Sequence, residues 1–476
     1  MFQFEYLNKE KMKTHRTILA VFLVSLAACI TVEARERFCA KGLSSPVKMK
    51  PHQQGVVEVH FDLLPTSMRF NAPAYPCMVT ENDIQYCNGF AETYDPRHDP
   101  NAAETSFETA FDDFNKYSRM WIESQNDARI VVRVHGALVS DEGKCIAHKD
   151  IPSGSPHGEG DWVDEWYYIY PDGVHARHVK IYTGLASRSL PFGFDREPPR
   201  VIHEFMEALV LGKKGRTPKE DIENDGITLI KTVGEYSEDI IAEGKAKTFS
   251  FTPYPRDFGE FSSANILVVN LKSRYKPFTI AMPYGIRTQP YKPDDPLING
   301  FQVWGDPPHT SYTVAFGHMV NYGHYRKTEK TIEQVYLSGM IDSKDPRKKL
   351  VPLAWSWIVP PKVTMQREHP SYKIQYYDPA QKAYVLDWKQ DQTELTFELM
   401  ADLDYYGVAS TIVNPAFVVR GWGKAPVQLE IDEERIKPSK KFRIGYEATD
   451  SDTNLIVWLK LESKEPVNIS LRKGEH

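Results

Sequence analysis

The sequence predicts an all-β protein: a large β-sandwich joined to a smaller C-terminal β-sandwich. Short β-rich runs recur along the chain between turn residues, among them "ARIVVRVHGALV" (128–139), "ANILVVNL" (264–271), "KTIEQVYLSGM" (330–340), "LTFELMAD" (395–402) and "TNLIVWLKLES" (453–463). Strands separated by turns at this spacing indicate sandwiches or barrels. The composition agrees, with 12% aromatic residues, 33 Pro and 28 Gly in 476 residues. No internal repeat of 20–50 residues is visible, which argues against a propeller.

The leader comes first. From Met12, "MKTHRTILAVFLVSLAAC" places Lys13, His15 and Arg16 before an apolar run from Ile18 to Ala28. That is a signal peptide, too short to span a membrane, and Met12 is the expected true start. Leu26-Ala27-Ala28-Cys29 resembles a bacterial lipobox, so residues 1–29 are read as the signal segment and Cys29 is expected to be lipidated as the N-terminus and membrane anchor. Cleavage after Val32-Glu33-Ala34 is the alternative. On either reading the protein is exported, as a cell-surface or periplasmic bacterial lipoprotein or as a secreted protein. Residues 38–360 are expected to form the catalytic sandwich. Pro360-Pro361 marks the boundary, and residues 361–476 form an accessory β-sandwich.

Within the larger domain, "ETSFETAFDDFNKYSRMWIES" (104–124) is the best helical candidate, with an irregular segment as the alternative. "DEWYYIYPDGVHARHVKIY" (164–182) reads as a β-hairpin turning at Tyr170-Pro171-Asp172-Gly173. Its second arm is unusual because neither face is cleanly apolar. Val174, Ala176, His178, Lys180 and Tyr182 share one face; His175, Arg177, Val179 and Ile181 share the other. Such a strand suits the wall of a polar cleft.

The formal net charge of −6 and the lack of a basic stretch argue against a nucleic-acid partner. Of five cysteines, Cys39, Cys77, Cys87 and Cys145 follow the leader, enough for two disulfides in an oxidising compartment. Cys77 and Cys87 close a short loop and are the expected pair. No C-x-x-C is present, so no structural zinc site is expected.

Most of the histidines lie between 135 and 324. In "FGHMVNYGHYRK" (316–327), strand parity would put His318, Tyr322, His324 and Arg326 in one row, unless Gly323 marks a bulge. Burying that row without a partner or a role is costly. "VIHEFMEALVL" (201–211) offers His203, but its His-Glu-x-x-Glu lacks the second histidine of a zincin. His309 and Tyr312 follow a proline-led loop. There is no G-x-S-x-G, P-loop or G-x-G-x-x-G.

Histidine, tyrosine, arginine and tryptophan on exported β-structure suit β-elimination at a uronic acid. The carboxylate must be neutralised so that the enolate-like transition state is stabilised, while one group takes the C5 proton and another protonates the departing O4. "WYYIYPDGVHARHVKIYTG", "HEFMEALVLGKKGRTPKEDIE", "NLKSRYKPFTI" and "KTIEQVYLSGM" resemble segments of ulvan-degrading polysaccharide lyases and the related ulvan-oligosaccharide dehydratase of marine bacteria, over roughly residues 128–360. The resemblance implies an anionic, sulfated rhamnose–uronate substrate and a 4,5-unsaturated uronate product.

The expected architecture is then a supersandwich of the mutarotase-like class. Base and acid are expected from His203, His318, Tyr322 and His324. Arg177, His175, Trp166, Tyr168, His309 and Arg326 are expected to bind the substrate. No cofactor or metal ligand set is assigned; a structural or carboxylate-neutralising cation such as calcium is left open. The rivals are a glycoside hydrolase on the same substrate and a non-catalytic, surface glycan-binding lipoprotein.

Overall fold

The computed structural model describes residues 37–474, apart from 52, 54, 73–74, 89, 95–105, 113, 141–144, 187–201, 235–239, 299–309, 322–324, 366–375, 390–391, 402–407 and 409. The leader with Cys29, and Tyr322, His324 and His309, lie outside the described residues. Phe38–His476 form one compact unit.

Two ten-stranded sheets face each other. The first runs Cys39–Gly42, Val57–His60, Ser67–Asn71, Tyr75–Val79, Gln85–Cys87, Ile202–Lys213, Thr310–Asn321, Ile286–Gln289, with Phe90–Tyr94 and Ser106–Glu108 joined at its side. The second runs Ile240–Phe249, Ile222–Val233, Ile266–Leu271, Lys276–Ala281, Thr331–Ile341, His175–Tyr182, Trp162–Ile169, Ile130–Ala137, Arg119–Gln125, with Arg326–Lys327 beside Thr331–Ile341. Met78, Tyr86, Met206 and Val314 of the first sheet meet Ile227, Leu267 and Tyr336 of the second in one apolar layer. The expected all-β sandwich is thus the fold.

The helix expected near 104–124 is absent among the described residues. That stretch forms the strand Ser106–Glu108, a single 3-10 turn at Thr109–Phe111, and the strand Arg119–Gln125. Asp112 explains the break, because its carboxylate accepts from the backbone N–H of Lys116, Tyr117 and Ser118, at 2.7–2.8 Å. An aspartate that takes several nearby amides competes with a helix for them. The long helix is instead Pro346–Ile358, which starts on a proline where no N–H is needed. It packs Leu350, Leu353, Ala354 and Trp357 on the outer side of the second sheet. The Thr331–Ile341 strand is therefore covered on both faces, which explains its near-continuous burial.

Two five-stranded sheets built from residues 362–473 pack around Phe397, Phe417, Trp422, Leu455 and Ile469. They join the larger sandwich through buried ion pairs, Arg129 Nη2 to Glu447 Oε2 at 2.5 Å and Arg443 Nη2 to Asp62 Oδ1 at 2.8 Å.

The hairpin forms as expected. Gly173 has φ 79° and donates its N–H to Tyr170 O at 3.0 Å, while Asp172 Oδ1 accepts from the Val174 N–H at 3.2 Å. The register pairs Ile169 with His175 and Trp162 with Tyr182. The Cys77–Cys87 disulfide also forms, between directly opposed positions of neighbouring strands.

Candidate active site

The ladder of the second sheet sorts the hairpin's polar residues onto two faces. Directly paired residues share a face, so Arg133–Trp166–His178 and His135–Asp164–Lys180 form two rows across three strands, with Trp162–Tyr182 beside them. All of these point away from the interior. Their neighbours Val132, Val134, Val163, Val179 and Ile181 fill the core.

Asp164 is the centre of this outer face. Its Oδ1 lies 3.0 Å from His135 Nδ1 and its Oδ2 lies 3.1 Å from His157 Nε2, with Arg133 Nη2 at 3.4 Å. Burial alone would raise its pKa, but the hydrogen bonds from His135 and His157 and the Arg133 charge outweigh that and hold the carboxyl down at about 2. Asp164 is 1% exposed, whereas His135, His157 and Arg133 are 14%, 24% and 27% exposed. The site therefore has a fixed floor and an accessible rim.

Aromatic rings wall it. Trp162 lies flat on the His135 ring (5.1 Å between centroids, 4° between planes) and donates its indole N–H to Glu159 O at 3.1 Å. The rings of His135 and His157 are 3.8 Å apart, and Tyr182 meets His157 edge-on at 6.0 Å. Burial, then the His135 charge, pushes the His157 imidazole below its ordinary value. Burial and the Asp164 charge push the Tyr182 phenol up, so it keeps its proton at neutral pH.

Further along, the Arg133 guanidinium lies 4.9 Å from the Trp166 ring centre and 5.3 Å from that of Trp121. Trp166 stacks on His178 at 5.3 Å, and His178 Nε2 is 2.9 Å from Glu333 Oε2. Tyr325 meets His178 edge-on and carries the Arg326 guanidinium 4.7 Å from its ring centre. The face is a band of rings, imidazoles and guanidiniums with few uncompensated acids.

The expected site residues divide as follows. Trp166 and Arg326 lie on this face. Tyr168 points the same way but is packed beneath Arg129, 5.1 Å from its ring, at the junction with the C-terminal sheets. Arg177 and His175 are corrected to the core face. Arg177 is 1% exposed and donates from Nε to Glu165 Oε2 at 2.8 Å and to the Tyr167 hydroxyl at 3.1 Å, so its charge is satisfied inside. His175 is 2% exposed, and burial, then the Arg177 charge, pushes its imidazole down to about 3.

The expected row His318–Tyr322–His324–Arg326 is also corrected. The strand carrying His318 ends at Asn321 in the first sheet, and Arg326–Lys327 pairs with Thr331–Ile341 in the second. His318 stands opposite Glu207 and Gln289, and His203 stands opposite Glu92 on the same strand as Glu207. The first sheet thus gathers Glu207, His318 and Tyr291, with the His318 and Tyr291 rings 5.7 Å apart. Burial, then the charge of Glu92, pushes the Glu207 carboxyl up to about 8. This is an acid-rich, largely buried cluster, a poor receptor for an anion.

Sequence reasoning missed His135, His157, Asp164, Arg133, Trp162 and Tyr182 as a group. Parity in "RIVVRVHGA" and "DWVDEWYYI" exposes all of them except Tyr182, which shares the face already assigned to His178, and His157, which arrives from the loop before Trp162. A separate cleft of about 720 Å³ lined by Glu223, Asp225, Arg274, Lys276, Asp342 and Arg347 is a mixed-charge surface in which Arg274 and Asp342 pair at 2.6 Å.

No family model and no curated protein matches the chain. Among solved structures it is similar to a xanthan lyase from Paenibacillus, at 7% identity and TM-score 0.26, covering 90% of this chain and 38% of that one. It is also similar to a second polysaccharide lyase, at 6% identity and TM-score 0.17, covering 91% of this chain and 46% of that one. The chain spans less than half the length of either, and at such scores neither likeness carries an argument about activity.

Proposed function

We propose that the protein is a carbohydrate-active lyase that performs β-elimination at a uronic acid residue of an anionic oligo- or polysaccharide, with ulvan-type chains as the substrate class. The observation that carries the reading is the outer face around Asp164, where a guanidinium, two imidazoles and a protonated phenol converge between tryptophan rings. Arg133 pairs with the uronate carboxylate, which stabilises the enolate-like charge as the C5 proton leaves. The His135–His157–Asp164 centre accepts that proton. The C5–H electrons form the C4=C5 bond, the C4–O4 bond breaks, and Tyr182 delivers its phenolic proton to O4. Trp166, half-buried between Arg133 and His178, lines the surface that a sugar ring would meet. Export and lipidation at Cys29 belong to the same reading, since a polymer is met outside the cell.

The test follows ultraviolet absorbance of the unsaturated product after mixing the protein with ulvan, ulvan oligosaccharides and other uronate polymers. A signal on oligosaccharides alone makes the enzyme a dehydratase that expels water from a terminal uronate. Tyr182→Phe should lower turnover about 10²–10⁴-fold, the usual worth of a general acid, without changing the folded state. Reducing ends without the chromophore would make the protein a hydrolase. Binding with no product on any uronate would make it a glycan-binding protein.

A further inference from the structure

We infer that His135, His157 and Asp164 form an open divalent metal site of the two-histidine, one-carboxylate kind, suited to zinc or a similar borderline ion. One donor atom from each residue lies within 4.8 Å of the other two; His135 Nδ1 is 3.0 Å from Asp164 Oδ1 and His157 Nε2 is 3.1 Å from Oδ2. Nitrogen and oxygen ligands about 2.0–2.1 Å from a tetrahedral zinc ion sit about 3.3–3.4 Å from one another. A small adjustment of the His157 loop therefore closes the set around an ion. The two imidazoles, with ring centroids 3.8 Å apart, both face the Asp164 carboxylate.

The chemistry of the donors selects the ion. Calcium takes six to eight oxygen ligands and magnesium an octahedron rich in water, whereas two nitrogens and one oxygen match zinc, cobalt or nickel. The surroundings also resemble a supported site. Trp162, anchored to Glu159 O, fixes the plane of the His135 ring, and Arg133 holds the second side of Asp164. Three protein ligands at a partly exposed rim leave a fourth position for water or substrate, the pattern of catalytic rather than structural zinc.

The inference rests on the same face as the proposed elimination and states how its centre accepts a proton. Held by His135, His157 and Asp164, the ion would supply a hydroxide basic enough at neutral pH to accept the C5 proton, while Tyr182 gives its proton to the departing O4 as the C4=C5 bond forms. Binding of the ion stands apart from the reaction and is tested first.

Full-length protein without a polyhistidine tag is stripped with chelator and titrated with Co²⁺, following visible d–d absorption, and with Zn²⁺ by competition. The expected result is one saturable equivalent with the intense bands of a four- or five-coordinate ion. His135→Gln and His157→Gln should each weaken it by more than the ~10–100-fold that loss of a supporting group costs. His178→Gln, on the neighbouring row, should leave the affinity unchanged. Circular dichroism of both stripped variants should match the stripped wild type, since these histidines are partly exposed. Absence of saturable binding, or binding undiminished in both histidine variants, overturns the site. Undiminished elimination by stripped protein overturns the ion's catalytic part while leaving the elimination reading intact. An ion bound with no product on any uronate supports the site and defeats that reading.

Discussion

Replacing Glu207 by glutamine should stabilise the protein, and by an amount that grows with pH. Glu207 is 3% exposed, and burial with the charge of Glu92 raises its carboxyl from the ordinary 4.5 to about 8. A carboxyl whose folded pKa is raised contributes stability that is fully present below the unfolded value. That stability is lost as pH rises through the window from 4.5 to about 8, because the unfolded chain releases a proton that the folded chain keeps. Each pH unit in the window costs about 1.4 kcal/mol, so the loss reaches about 3 kcal/mol at pH 7. Glutamine keeps the shape and removes the proton. Glu92, whose charge adds to the shift, and His318 and Tyr291 beside it are the same in both proteins. Urea unfolding of both proteins at pH 5, 6, 7 and 8 measures it. The gap should widen by about 1.4 kcal/mol per unit and flatten as pH nears 8. A gap that stays constant across the series would refute the claim that Glu207 is held protonated by burial.

Trp166→Ala should raise KM for a uronate oligosaccharide about tenfold with a smaller change in kcat, because the indole both stacks on sugar and carries the Arg133 cation, contributions of about 0.5–2 kcal/mol. Arg177→Met should destabilise the fold by about 3–5 kcal/mol in urea titrations, since Glu165 would be left buried without its guanidinium partner, and Glu165→Gln in the same chain should recover part of that loss. Converting Cys77 and Cys87 to alanine opens a loop with a sequence separation of 10, and chain entropy sets the cost at about 2–3 kcal/mol, read as a lower unfolding midpoint under non-reducing conditions.

The sheet architecture was legible because β-rich runs and turn chemistry are local signals. Tyr170-Pro171-Asp172-Gly173 specifies its turn within four residues, and the register of the arms follows from it. The Pro346–Ile358 helix was not legible, because Leu350, Val351, Leu353, Ala354, Trp355 and Trp357 are all buried and leave no 3.6-residue alternation to see. The candidate site was half legible. Trp166, His178 and Tyr182 stand on a face that parity identifies, and Arg133 and His135 follow by the same rule in a run that reads simply as a strand. His157 was beyond reach, since its contact with Asp164 depends on how a Gly- and Ser-rich loop folds back. The row from His318 to Arg326 failed for a different reason. Alternation assumes one strand, and the chain changes sheet between Asn321 and Arg326.

Arg177 was misplaced because polarity alone does not tell an inward face from an outward one; the partner does. On the core side of the hairpin, Arg177 meets Glu165 and Tyr167, and the charges cancel with no solvent needed. On the outer side, Asp164 faces Arg133 and two imidazoles, Glu333 faces His178, Lys180 and Arg326, and Glu123 lies 3.8 Å from Arg133. In the first sheet burial, then the charge of Glu92, raises the pKa of Glu207 until that carboxyl keeps its proton. A uronate or sulfate approaching it would enter a setting in which burial already disfavours negative charge. Approaching the second, it would meet the guanidiniums and imidazoles that face Asp164, Glu123 and Glu333. The anionic sugar of the proposed reaction is therefore assigned to the Trp162–Tyr182 face, where the groups named for its chemistry stand.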